Sequence, residues 1–212
     1  MLKLFSALLL LPFCLTFSFA LLPYGKLLKE GSAHTRTFLI GMGLYALWFV
    51  VSILWKKDRF SLILEHELTH LLWSKLLGGK IHSLKINPSR GGEIQHSRNH
   101  FIVNLAPYFF PTYTFLLFLI YPFLQNKFVP FFMVVIGISF GYHLISTALE
   151  VRLRQPDIRE TGIFFSSIFI LFMNILILGI VLSTVTCGLP EVLNFFWRGL
   201  RGVKIILVYI FT

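Results

Sequence analysis

Acid is what this sequence lacks. Asp and Glu together number 9 in 212 residues, against 19 Lys and Arg. Only two of the nine are aspartates, Asp58 and Asp157. Charge of either sign is scarce: 13 % of residues are charged, half the ~25 % of a soluble domain. So few charges cannot coat a soluble globule, and 56 % hydrophobic residues exclude a disordered chain. Cysteine is rare too. Cys14 and Cys187 lie in or at the edge of apolar runs and read as small apolar fillers, which excludes a disulfide framework. The basic excess, net +10, forms no stripe with interleaved aromatics on a polar background, so no nucleic-acid partner is expected. The positive charges sit between apolar runs instead, where loops meet anionic headgroups.

What the chain has is long apolar runs, 24 Phe and a mean hydropathy of +0.79. The runs cover residues 4–22, 38–55, 60–77, 101–121, 128–149 and 162–187. Each approaches or exceeds the ~20 residues that cross about 30 Å of hydrocarbon. The expected fold is an all-α polytopic membrane protein with about six transmembrane helices. Lys3 precedes the first run and Ser18-Phe19-Ala20 falls near its end, as in a signal peptide. The run exceeds the roughly 7–15 residues of a signal-peptide core, which favours a retained span. If all six runs cross, the basic residues divide eight to one side and ten to the other, which leaves the orientation open.

Two segments break the pattern. Residues 78–100 open with Gly78-Gly79 and contain a turn cluster, Asn87-Pro88-Ser89-Arg90-Gly91-Gly92. Short pieces at 80–86 and 93–97 flank it, and the segment reads as a β-hairpin. The tail, 189–212, mixes Phe195, Phe196 and Trp197 with Arg198, Arg201 and Lys204. Its last apolar run is too short to span, so it is expected to lie in the interface as an amphipathic segment.

The third run carries Glu65, His66, Glu67, His70 and Lys75, five polar positions that are expensive in a membrane without partners. His66-Glu67-Leu68-Thr69-His70 is an HExxH motif. Residues i and i+4 share a helix face, so both imidazoles can reach one metal ion. Glu67 can take a proton from water on that metal. Zinc is the expected ion, since imidazole suits it and it lowers the pKa of bound water to about 7. Composition alone would produce the motif roughly 0.007 times in such a chain. Asp58, just before the run, suits a helix N-cap or first-turn acid. Glu65 is a candidate to accept a ligand histidine's second N–H.

Glu65-His66-Glu67-Leu68-Thr69-His70 in an apolar helix, followed by Gly78-Gly79 and a β-like stretch, resembles the site-2 protease family of intramembrane zinc metalloproteases. The family's apolar-Pro motif is matched by Asn104-Leu105-Ala106-Pro107. The resemblance covers about residues 60–187. It implies a membrane-associated hairpin after the HExxH helix, His66 and His70 as zinc ligands, and Glu67 as catalytic base. It divides the chain into N-terminal transmembrane helices (1–59), a metalloprotease membrane core (60–187) and an interfacial tail (188–212).

The third ligand stays open between two residues. The family takes an Asp from an Asp-Gly motif, and here the nearest match is Gln155-Pro156-Asp157, without the Gly. If six runs cross fully, His66 and His70 lie toward the N-terminal side and Asp157 lies on the opposite side. His143 competes, because an imidazole deep in an apolar run is a functional candidate. Its bland alternative is a neutral ring bonded to Ser139 or Thr147. Glu150 is next in line. His34, His82, His96 and His100 fall in polar segments and read as solvated. Asn104 and Asn174 suit interhelical hydrogen bonds or a role in holding the substrate.

The expected function is a zinc endopeptidase that cuts transmembrane or membrane-anchored proteins, in the cell inner membrane if the host is bacterial. A substrate would unwind and lie extended beside the 80–97 strands, exposing its carbonyl. One alternative is a membrane protease of the prenyl-protein type, with Glu150 as third ligand. The other is a metal-binding scaffold or metal transporter, which would not require Glu67. Partners are the lipid bilayer and a membrane protein substrate; oligomeric state is not legible.

Overall fold

The computed structural model describes residues 2–54, 60–87, 91–96, 100–152 and 155–211. Helices α1 (Leu2–Glu30), α2 (Ala33–Leu54) and α3 (Phe60–Leu76) lead into strands β1 (Ile81–Asn87) and β2 (Gly91–His96). The chain continues through α4 (Phe101–Leu105), a 3₁₀ turn at Ala106–Tyr108, α5 (Thr112–Ile120) and α6 (Val129–Glu150). It closes with α7 (Pro156–Thr161), α8 (Ile163–Cys187) and α9 (Glu191–Phe211).

Among the described residues, four helical segments are long and apolar enough to cross a membrane: Leu2–Glu30, Ala33–Ser52, Asn126–Glu150 and Ile163–Cys187. The sequence predicted about six, and two runs account for the difference. α3 has only 17 residues and stops at Gly78, whose φ of 76° suits a residue without Cβ. The Gly79 N–H donates to the Ser74 carbonyl (2.7 Å) and the Gly78 N–H to that of Lys75 (3.0 Å). These two bonds are the closure of a Schellman helix end. The run at 101–121 is bent by 85° between Phe101–Tyr108 and Thr112–Phe123. Pro107 and Pro111 fall at that break and offer no N–H to continue a helix. Counted as one bent span, it raises the total to five.

The short pieces expected at 80–86 and 93–97 overlap strands β1 and β2. They pair antiparallel from Ile81 with His96 to Asn87 with Gly91, with an irregularity between Ile81 and Ser83. Both strands pack against α3. The middle of the predicted turn, Pro88-Ser89-Arg90, lies outside the described residues, as does the candidate cap Asp58.

Apolar packing holds the long helices. α2 and α6 meet through Gly41 and Gly137. A Cβ on Gly41 would overlap the Val134 carbonyl, and one on Gly137 the Phe38 carbonyl. Small residues let two backbones approach this closely. Phe38 lies by Gly137 and Tyr45 by Gly141, so the two helices run parallel. α1 rests on α8, with Phe13 and Phe17 edge-on to Phe172 at 6.0 and 5.9 Å. α9 packs on α1 and α8 through Phe195, fully buried beside Phe17 and Tyr24.

One bond corrects the side assignment. The Lys3 ammonium donates to the Thr161 carbonyl at 2.7 Å, so the chain start and α7 lie at the same end of the bundle. Six full crossings would have put them at opposite ends. With α3 short and the next run bent, that count does not hold.

Candidate metal centre

His66 and His70 stand one turn apart on α3, with ring centroids 4.8 Å apart and their Nε2 atoms 3.2 Å apart. Asp157, in the first turn of α7, brings Oδ2 to 3.7 Å from the His66 Nε2 and 3.8 Å from the His70 Nε2. Among the described residues this is the grouping of three His, Cys or acidic side chains that could hold a metal ion. A circle through the three atoms has a radius of about 2.1 Å, the length of a metal–imidazole or metal–carboxylate bond. The donor set of two imidazoles and one carboxylate suits a divalent metal.

Each of these side chains has a further hydrogen-bond partner. The His70 Nδ1–H donates to the Val103 carbonyl at 2.8 Å. A carbonyl can only accept, so the lone pair of His70 lies on Nε2, toward the other two ligand atoms. His66 Nδ1 lies 3.2 Å from Glu150 Oε2 and donates to that carboxylate, which leaves its Nε2 free in the same way. The Tyr108 hydroxyl donates to Asp157 Oδ2 at 3.0 Å. Asn174 of α8 in turn donates its side-chain N–H groups to the carbonyls of Tyr108 and Ile170, both at 2.9 Å.

The broken run explains how these groups arrive. Val103 comes from α4, and Tyr108 ends the 3₁₀ turn that contains Ala106 and Pro107. This first half of the run packs on α3. Tyr108 ends it just before the bend, with its ring edge-on to His66 at 5.4 Å between centroids. His100 caps α4 by accepting from the Ile102 N–H at 3.2 Å. Thr69, between the two histidines, bonds Thr112 at 2.6 Å and ties α3 to the start of α5.

A protein-family model described as Peptidase M50B-like matches residues 39–209. The chain belongs to this family. The match bears out the resemblance to site-2 proteases, and with the four apolar helices it makes the chain a multi-pass membrane protein. No curated protein and no solved structure gives a match.

The other expected residues of this M50B-like chain fall as follows. Glu67 is buried on α3 between the two histidines, 7 % exposed. Glu65 is buried as well, but it does not serve the ligands: Glu150 and Val103 do, and the Glu65 Oε1 meets no hydrogen-bond partner among the described residues. His143 is 2 % exposed, stacked by Phe140, with Nε2 3.5 Å from the Thr147 hydroxyl. It lies outside the three-residue grouping. Asn174 makes interhelical bonds, and Asn104 sits in α4. His34 and His82 are exposed. Tyr108, bonded to Asp157 and edge-on to His66, is the candidate-site residue that sequence reasoning missed. Its position directly after the apolar-Pro motif was the available signal.

Proposed function

We propose that this protein is a zinc-dependent intramembrane endopeptidase, with His66, His70 and Asp157 as metal ligands and Glu67 as general base. The observation that carries the reading is the convergence of those three ligand atoms beside a buried Glu67, in a family-matched membrane chain. Zinc suits two imidazoles and a carboxylate, and when bound it supplies a Lewis acid for the scissile carbonyl and an acidified water.

The chain's own residues do the rest. Val103 and Glu150 keep both imidazoles in the tautomer that presents Nε2 to the metal. Tyr108 holds the Asp157 carboxylate in place. Glu67 takes the proton from the attacking water and passes it to the leaving amine. A helical substrate hides its carbonyls, so the peptide must be extended at the site. The β1–β2 pair, packed against α3, offers a strand edge that can hold it by main-chain bonds. In this reading the hairpin is membrane-associated and residues 60–187 form the catalytic core. Residues 1–59 supply N-terminal transmembrane helices, 188–212 form an interfacial segment, and a bacterial host would carry the protein in its inner membrane. A scaffold or metal transporter would have no use for an acid beside the ligands, which favours catalysis.

The test is Glu67→Gln in the full chain, with metal content and cleavage of a membrane-anchored substrate measured together. Metal retained with cleavage lost, by about 10³-fold or more, is the expected pair of results. Substantial cleavage by the Gln variant would remove Glu67 as base.

A further inference from the structure

We propose that the exposed face of α9 is a binding site for an anionic phospholipid, its phosphate held by Arg198 and Arg201. The proposal does not rest on the protease reading. α9 buries Phe195, Gly199 and Val203 against the bundle. Its opposite stripe, Asn194, Arg198, Arg201, Ile205 and Val208, follows helical spacing of four, three, four and three residues and is exposed.

Two adjoining cavities run along this stripe and share Arg201. The first, about 320 Å³, is lined by Asn194, Trp197, Arg198 and Arg201. The second, about 470 Å³, continues past Lys204 between Ile205, Val208 and Tyr209. A polar, cationic cleft that opens into an apolar groove is the shape of a headgroup followed by an acyl chain.

Arg198 is set in advance. One of its terminal nitrogens, Nη2, donates to the Tyr24 hydroxyl and to Glu191, which also accepts from Asn194 at 2.8 Å. Burial pushes the Glu191 carboxyl up, but the bonds from Asn194, Arg198 and Tyr24 outweigh it and hold the group below the usual carboxylate range. Glu191 is thus an anion at neutral pH and uses one face of the guanidinium. The remaining N–H groups of that fork suit a phosphate.

The charge balance identifies the occupant. Arg198, Arg201 and Lys204 face a single carboxylate, an excess of two positive charges on a helix packed against membrane-spanning α1 and α8. Cations facing hydrocarbon are costly, whereas basic pockets at headgroup level recruit anionic lipid. Trp197, 61 % exposed and beside Arg198, is a residue type that settles at that level. A second copy of the chain would present the same cationic stripe and repel, and a free soluble anion would leave the apolar groove unfilled.

The experiment uses the full chain in phosphatidylcholine bilayers doped with phosphatidylglycerol, with the lipid retained after solubilisation counted by native mass spectrometry. Phosphatidylglycerol is expected on the protein at about tenfold over its bilayer share. The double variant Arg201→Gln, Lys204→Gln, both exposed positions, is expected to bring retention back to the bilayer share with unchanged thermal melting. On the unaltered protein, about 0.5 M salt should erase most of the preference, a result that does not depend on the variant's folding. Retention in bilayer proportion by the unaltered protein would overturn the proposal. So would a preference that ignores both the substitutions and salt, inorganic phosphate raising the melting temperature as the lipid does, or a second chain retained in place of lipid.

Discussion

The long helices and the short elements around Asp157 are built on different physics. α1, α2, α6 and α8 meet through Phe rings and through glycines that admit a neighbouring backbone. Many apolar contacts share the work there, and most single positions tolerate another apolar residue of similar size. At the candidate metal centre each proposed ligand is held by one identifiable bond: Val103 for His70, Glu150 for His66 and Tyr108 for Asp157. Two of the supports come from α4 and a 3₁₀ turn, pieces too short to be stable alone, and the third, Glu150, from the last residue of α6. The long helices place the site, and single hydrogen bonds aim it.

This contrast can be broken at its strongest point first. His66→Ala or Asp157→Ala should remove most bound metal from the purified protein, while His143→Ala, outside the grouping, should keep it. Metal analysis after dialysis decides between them, and equal loss in His143→Ala would place the ligand elsewhere. The frame should fail in the opposite manner. Gly137→Leu forces a side chain onto the Phe38 carbonyl and should destabilise the bundle by on the order of 3 kcal/mol. Its unfolding midpoint should fall further than that of metal-free Asp157→Ala, which loses the bond from Tyr108, about 1 kcal/mol.

Smaller effects sharpen the same distinction. Glu150→Ala and Tyr108→Phe leave all three candidate ligands in place but remove the bonds to His66 and Asp157. Each should weaken metal affinity by about 10–100-fold in competition with a chelator. Unchanged affinity in both would mean that the supports are incidental. The smallest effect is at Lys3, where Lys3→Met removes the bond to Thr161 at the end of the helix that carries Asp157. That loss of about 1 kcal/mol should appear as a roughly fivefold weaker affinity, and no change would show that α7 is held without α1.

Much of this was legible in the sequence, for a physical reason. His66, Glu67 and His70 fall at helical spacing in an apolar run, and buried ionisable groups need a purpose. Gly78-Gly79 marked the end of α3, where the Schellman closure is found. The count of spans failed because hydropathy measures apolar length and not straightness, and Pro107 and Pro111 sit inside a run that reads as one segment. The same bend hid the route by which Asp157 reaches α3, so Asp157 and His143 could not be separated. Glu65 was credited with a support that Glu150 supplies, since adjacency along the chain says little about which carboxylate lies behind a ring. Tyr108 had no chance of being singled out by type among 7 tyrosines; its role depends on a 3₁₀ turn.

X-ray absorption at the zinc edge of the metal-loaded full chain tests the central claim most directly. One zinc per chain is expected, bound by two imidazoles and a carboxylate at about 2.0–2.1 Å, with a further light atom beside them. Asp157→Ala should lose that carboxylate scattering or the metal itself. A first shell of three imidazoles, a sulfur ligand, or no stoichiometric zinc would contradict it.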